Sequence, residues 1–295
     1  MRKHIFILLM ATLVAACTSS PALPPEEPID PPAPDSLTWD GEAYTDGLLR
    51  FALLDSTTVE VITPDTAHLT LPAELSIPPS VRIGSRDYTV VQIGHACFQN
   101  CDDIQRVHLP STIRRIRGGG FWSCHSLTDI NLPDGITYIS DEAFAFCEAL
   151  TTLHLPAGLT ELSREVVSNC SSLREIEIPP SVTAIGVGAF SGCYALTHIS
   201  IPPKVTSLEY STFAGCRSLQ SVTFQGTTQL SYKVFTVCQA LREIHCLSAT
   251  PSTYIADTAF DPAAYDAITV FVPKEAVEAY KASPCWGKFK ITPEP

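Results

Sequence analysis

The sequence predicts a solenoid of stacked 23-residue repeats, with a parallel β-sheet on one face and short helical turns on the opposite side. Three observations lead to this class: cysteines recur at a fixed interval, apolar residues recur at fixed offsets from them, and each repeat contains one short alternating segment. A period of 20 to 50 residues is typical of solenoids. The repeat is of the α/β type but mostly strand and irregular structure, and we expect caps at both ends.

The cysteines define the repeat. Six are separated by 23 residues and the seventh follows after 22: Cys101, Cys124, Cys147, Cys170, Cys193, Cys216 and Cys238. Three residues before them stand Phe98, Phe121, Phe144, Val167, Phe190, Phe213 and Phe235. Positions three, six and eight residues after the cysteine are also apolar. In the last repeat, the position eight residues after Cys238 is itself a cysteine, Cys246. These columns predict the core.

One repeat shows how the chain runs. Ala143, Phe144, Cys147 and Leu150 have the spacing of one face of a helical turn, which Ser140 could cap. The following segment "TLHLP" alternates apolar and polar residues, so it predicts a short strand that ends at its proline, which has no N–H for a sheet ladder.

The N-terminal residues predict export rather than fold. "MRKH" is basic, and the apolar run "IFILLMATLVAA" is 12 residues long, short of the ~20 that span a membrane. It ends in "VAAC", which resembles the lipobox of bacterial lipoproteins and implies cleavage and lipidation at Cys17; an ordinary secretory signal peptide is the alternative. We therefore expect a signal peptide over 1–16 and a Pro-rich, acidic tether over 17–38.

Further boundaries follow from the repeat. We expect an N-terminal cap and a degenerate first repeat over 39–92, regular repeats over 93–247, and a C-terminal repeat and cap over 248–295. Leu49, Phe51 and Leu53 alternate before Val59 and Val61, which predicts a capping hairpin within 48–62. "LSIPPSV" at 75–81 matches "IEIPPSV" at 176–182, so Ile77 is expected in the first rung. A last strand over 270–272, a short helix, and Trp286 with Phe289 are expected to close the other end.

Taken together, the "AF", "C", "L" and "LP" positions resemble the leucine-rich repeats of the BspA-like bacterial surface proteins. The resemblance covers about residues 70–246 and, more loosely, extends to 291. It implies a lipid-anchored protein of the bacterial cell envelope, exposed at the outer membrane surface, that takes part in adhesion. A structural partner in a periplasmic envelope complex and a carbohydrate-active enzyme on a repeat scaffold are the alternatives.

The cysteine column favours buried free thiols over a disulfide ladder, because equivalent side chains on successive turns project in parallel. Cys97 and Cys101, four residues apart, are the pair best placed for a disulfide. The spacing lacks the second pair of ligands that a zinc site needs, so we expect no metal and no other cofactor.

Function is expected on the strand residues that point away from the core. The predicted binding face consists of Arg106, His108, Asp129, Asn131, Thr152, His154, Glu175, Glu177, His198 and Ser200. A solvated polar surface is the simplest interpretation of its central histidines and glutamates, with a metal or acid–base site as the alternative. We expect a protein or glycan partner, contact with the membrane through the N-terminal lipid only, no catalytic residues, and no nucleic acid, because the net charge of −12 repels phosphates.

Overall fold

The computed structural model describes residues 37–64 and 70–295, so the predicted signal peptide, Cys17 and nearly all of the tether lie outside the described residues. The described part of the chain winds as a solenoid in which each turn contributes two short strands and one run of tight turns. None of its helices is long and apolar enough to cross a membrane.

The N-terminal cap combines antiparallel hairpins with parallel pairing to the first turn. Its strands are β1 (Thr38–Trp39), β2 (Tyr44–Thr45), β3 (Arg50–Leu53), β4 (Thr58–Ile62), β5 (Glu74–Ser76), β6 (Ser80–Ile83) and β7 (Arg86–Ile93). The predicted hairpin is confirmed as β3 paired with β4. Leu49 and Phe51 are buried as expected, but Leu53 is 47% exposed because it lies at the tip next to the turn. Strand β5 pairs in parallel with the first regular turn, which places Ile77 in the core.

Strands of two kinds alternate along the repeats. In chain order they are β8 (Arg106–His108), β9 (Arg115–Ile116), β10 (Asp129–Ile130), β11 (Tyr138–Ile139), β12 (Thr152–His154), β13 (Glu161–Leu162), β14 (Glu175–Glu177), β15 (Ala184–Ile185), β16 (His198–Ile201), β17 (Ser207–Leu208), β18 (Ser221–Phe224), β19 (Gln229–Leu230) and β20 (Glu243–Cys246). The even-numbered strands, with β5, form the sheet face; the odd-numbered ones form a second, narrower ribbon. Wherever strands of successive turns pair, in the sheet face or in the ribbon, the pairing is parallel.

The segment predicted as a helical turn is a run of tight turns, here called the turn side. Its amides bond three residues back, as from Cys147 to the Phe144 carbonyl at 3.2 Å, and also to the next turn, as from Phe144 to the Val166 carbonyl at 2.9 Å. An α-helix cannot form because each turn has left-handed residues five positions and one position before its cysteine, such as Glu142 (φ 57°) and Phe146 (φ 62°). The predicted burial of this segment nevertheless holds.

The core is built from the predicted columns. Phenylalanine rings on adjacent turns stack almost parallel, with centroids 5.5 Å apart for Phe121 and Phe144 and 5.0 Å apart for Phe190 and Phe213. The stack is interrupted at Val167. Phe260 extends it by one more turn beyond the last repeat cysteine.

The ten cysteines among the described residues are free, and the buried-thiol interpretation of the repeat column agrees with their environment. Each repeat thiol from Cys124 to Cys238 donates a hydrogen bond to a backbone carbonyl on the preceding turn, that of the residue three positions before the cysteine of that turn. For Cys147 the acceptor is Phe121 O, which lies 3.2 Å from Sγ. Burial raises the pKa of Cys170 to about 12 and that of Cys101 to about 11. Cys97, four residues from Cys101, is a free, buried thiol as well.

The C-terminal end closes the solenoid with α1 (Ala264–Ala267), β21 (Thr269–Val272), a 3₁₀ turn (Lys274–Ala276), α2 (Val277–Ala282), a second 3₁₀ turn (Trp286–Lys288) and β22 (Lys290–Pro293). The strand predicted to be the last is β21, but β22 pairs with it in parallel and extends the sheet by one strand. Trp286 and Phe289 are buried against the end of the core, and the Trp286 indole N–H donates to Ser252 Oγ at 3.0 Å.

Candidate binding face

The alternation within each strand places the predicted residues outward. All ten are exposed, and the apolar residue between each pair is buried: Arg106, His108, Asp129, Asn131, Thr152, His154, Glu175, Glu177, His198 and Ser200. Parallel pairing sets Thr152 opposite Glu175 and His154 opposite Glu177. Neighbouring strands lie about 4.8 Å apart, so these side chains are within reach of one ligand.

The N-terminal part of the face is already engaged within the chain. Glu74 on β5 accepts hydrogen bonds from Arg106 at 3.0 Å and from His108 at 2.8 Å. The Arg106 guanidinium, and then His108, hold the pKa of the Glu74 carboxyl below its usual range. Asn131 bonds both backbone groups of Leu109, at 2.7 and 2.9 Å, and so acts as a rung between turns. These residues contribute more to stacking than to an open surface.

The centre of the sheet face is structurally different. Its strands form three separate hydrogen-bonded ladders, β5–β8–β10, β12–β14 and β16–β18–β20–β21–β22. The ladder is therefore interrupted twice, between β10 and β12 and between β14 and β16. At the second interruption Ile176 is 9% exposed, more than its counterparts Leu153 (2%) and Ile199 (4%).

Two adjacent depressions lie on either side of this interruption. The first has a volume of about 330 Å³, and the second, of about 560 Å³, continues toward β18. Both are lined by Ile176, Glu177 and His198. The polar residues around the first are Thr152, His154, Arg174, Glu175, Glu177, Thr197 and His198. The two volumes lie within the range of about 300–1,000 Å³ that small-molecule and side-chain pockets occupy.

Four side chains at this point form what we call the central quartet: His154, Glu175, Glu177 and His198. His198 Nδ1 lies 2.9 Å from Thr197 Oγ1. Among the described residues, the carboxylates of Glu175 and Glu177 and the imidazole of His154 have no hydrogen-bond or ion-pair partner. They are exposed acceptors and a titratable ring that face solvent, in contrast to the paired residues on β8.

One contributor to the second depression is absent from the predicted face. Gln225 donates from Nε2 to Ser200 Oγ at 2.9 Å and lines this depression. It stands nine residues after Cys216, where the five preceding repeats have a proline. That departure from the repeat is the sequence signal that could have identified it.

The geometry of the quartet limits the chemistry that its side chains can perform. No three His, Cys, Asp or Glu side chains converge to hold a metal ion in the part of the chain that the structure describes. Glu175 and Glu177 project side by side from one strand, whereas glycoside hydrolysis requires two carboxylates flanking the scissile bond. An exposed row of donors and acceptors can bind a complementary surface without any further group.

Comparison with known proteins places this architecture in a family. The description "BspA type Leucine rich repeat region" matches residues 85–193 and 161–275, in six copies. No curated protein matches the sequence. Among solved structures, the T. pallidum leucine-rich repeat protein TpLRR is 29% identical, with a TM-score of 0.60, over 67% of this chain and 89% of that chain.

A leucine-rich cell surface protein from Faecalibacterium prausnitzii is 22% identical, with a TM-score of 0.41, over 89% of this chain and 96% of that one. The family match covers more than half of the sequence and coincides with the stacked turns seen in the structure. This chain belongs to the BspA-type leucine-rich repeat family, whose members are typically bacterial cell-surface proteins.

Proposed function

We propose that this protein is a bacterial cell-surface interaction module that binds a protein or glycan partner through the centre of its sheet face. One observation carries the proposal: the central quartet, in which Glu175, Glu177 and His154 have no partner among the described residues, lines two adjacent depressions where the sheet ladder is interrupted between β14 and β16. On β8, by contrast, the outward Arg106 and His108 are paired with Glu74 within the chain.

The chemistry of the quartet indicates what a partner must offer. Carboxylates accept hydrogen bonds, and an imidazole ring can donate one as well as accept one. Hydrogen-bond donors on arginine, lysine, amide or sugar hydroxyl groups are therefore complementary to the quartet. The depressions are shallow, which suits a side chain or sugar unit presented by a larger partner. Solvent-exposed pairs of this kind are individually weak, so we expect affinity to come from several strands acting together.

The test is direct binding of the full chain, solubilised in detergent, to an array of extracellular-matrix proteins and glycans. The informative variant replaces all four residues of the central quartet by alanine. A matched control replaces Thr160 and Glu161, which lie in the same turn as His154 but at the start of the ribbon strand β13. Circular dichroism establishes that both variants are folded.

We expect saturable binding that the quartet variant loses and the ribbon control retains. Equal binding by all three proteins would place recognition elsewhere, and no binding by the folded wild-type chain would remove the support for a matrix or glycan ligand. In the latter case a partner within the cell envelope becomes the better hypothesis.

The attachment of the protein to the membrane belongs to the same proposal. The "VAAC" motif supports lipidation of Cys17, and the Pro-rich segment after it supports a tether that holds the solenoid away from an outer membrane. Labelling cells with an alkynyl fatty acid should tag the wild-type chain but not Cys17→Ala. Protease treatment of intact cells should then degrade a surface-exposed protein and spare a periplasmic one.

A further inference from the structure

The turn side contains a second cavity, remote from the sheet face. It has a volume of about 490 Å³, and its walls include His95, Arg117, Trp122, Asp141, Glu142 and Arg164. None of these residues lines the depressions around the central quartet. We propose that this cavity binds a neutral sugar unit, with the Trp122 side chain packing against the ring.

The cavity exists because one side chain is missing from a column. Six residues before each repeat cysteine, successive turns carry His95, Gly118, Asp141, Arg164, Val187, Tyr210 and Tyr232. Gly119 adopts the left-handed backbone conformation (φ 64°), but Gly118 does not, so the backbone at position 118 does not require glycine. A Cβ at this position would lie 3.2 Å from His95 Nδ1, an exposed and movable ring. Glycine here keeps the space between His95 and Asp141 open.

The aromatic wall is held in place. Trp122 is half-buried and packs edge to face on Phe146, with ring centroids 5.8 Å apart and an interplanar angle of 72°. A rigid, partly exposed indole suits the C–H groups on one side of a pyranose ring, and it loses little conformational entropy on binding.

The polar walls favour a neutral ligand over a charged one. Arg164 is already surrounded by carboxylates: it bonds Glu142, contacts Glu165 at 2.8 Å and lies 3.6 Å from Asp141. Arg117 has only a long contact of 3.8 Å with Glu60, and its side chain is 53% exposed. An anion would meet Asp141 and Glu142, and a cation would meet Arg117 and Arg164. Hydroxyl groups, which both donate and accept, can pair with both kinds of wall.

The experiment is saturation-transfer NMR on the full chain in a detergent without a sugar head group. The probes are methyl α-mannoside, methyl β-galactoside, methyl β-glucoside and N-acetylglucosamine, with glucuronate and glucosamine as charged comparisons. The blocking variant is Gly118→Tyr, which imitates Tyr210 in the same column. Its matched control is Val187→Tyr, which adds the same ring to that column three turns away, outside the cavity.

We expect transfer to at least one neutral sugar, loss of that signal in Gly118→Tyr, and full retention in Val187→Tyr. Arg117→Ala, at an exposed position, should weaken the signal without affecting folding. The central-quartet variant should bind the sugar like wild type, which separates this site from the one on the sheet face. Absence of transfer to all four neutral probes, persistence of the signal in Gly118→Tyr, or equal transfer to the charged probes would overturn the proposal.

Discussion

Inside the solenoid, successive turns repeat the same residue type, whereas on the sheet face each turn carries a different one. Phe98, Phe121 and Phe144 occupy one interior column, but Thr152, Glu175 and His198 share one outward column. The interior columns contribute the same stacking contact at every step, so stability is distributed over neighbouring turns. The outward columns have no such constraint. A binding site can therefore change while the scaffold stays the same, and the two regions should respond differently to perturbation.

The largest expected difference is the response of the interior to alkaline pH. Burial raises the pKa of nine thiols, from Cys97 to Cys246, above the ordinary value of 9.0. Because the folded chain holds these protons more tightly than the unfolded chain, stability is complete below about pH 9 and falls as pH rises toward about 12. Each thiol contributes a loss of up to about 1.4 kcal/mol per pH unit.

Urea unfolding followed by circular dichroism between neutral pH and about pH 10 measures this loss. Cys147→Ala removes one titrating group, so its stability should fall less steeply with pH than that of the wild type. A stability that is constant across this range would mean that the thiols are more hydrated than their burial indicates.

The next largest effect is expected from truncation of one stacked ring. Phe190 is fully buried and packs on Phe213 at 5.0 Å. Phe190→Ala should lower the free energy of unfolding by about 3–5 kcal/mol, because it removes transfer free energy and leaves a cavity. Val167→Ala, in the same column on the preceding turn, deletes less volume and should cost about half as much or less. Chemical denaturation of both variants makes the comparison, and a larger loss for Val167→Ala would contradict the stacking argument.

A smaller effect is expected from a single thiol. Cys147→Ala removes the Sγ donor 3.2 Å from the Phe121 carbonyl, yet that carbonyl still accepts the Cys124 amide at 3.3 Å. Because the acceptor is not left unpaired, we expect a loss of only about 1–2 kcal/mol at neutral pH. Cys147→Ser restores a donor of similar shape, and a denaturation midpoint above that of the alanine variant would show that the hydrogen bond contributes.

The same contrast explains how much the sequence could predict. The interior columns, the outward alternation and the capping hairpin follow from short periods that one chain repeats many times, so residues such as Phe144 and His154 could be placed without coordinates. The tight turns could not be predicted in this way. The apolar spacing of Phe144 and Cys147 is the same whether the chain forms a helical turn or is interrupted by a left-handed residue at Phe146. The strand β22 was missed because its single turn has no repeat to match.

The candidate site was predictable in its residues but not in its geometry. Exposure of Glu175, Glu177 and His198 follows from alternation alone. The interruption of the strand pairing between β14 and β16 has no counterpart in the repeat pattern, which continues through both strands. The pairing of Arg106 and His108 with Glu74 also depends on a strand that the degenerate first repeat only partly reveals.

The smallest stability change is expected on the sheet face, and it tests the register of the whole fold. His154 is exposed and has no partner among the described residues, so His154→Ala should change the free energy of unfolding by less than about 0.5 kcal/mol. Leu153→Ala, one residue earlier and buried, should cost about 2–5 kcal/mol. A shift of one residue in the strand would exchange the two faces, so a large loss from His154→Ala together with a small one from Leu153→Ala would show that the register is wrong. If the stability of His154→Ala is unchanged while partner binding falls, the interior and the sheet face perform separable tasks.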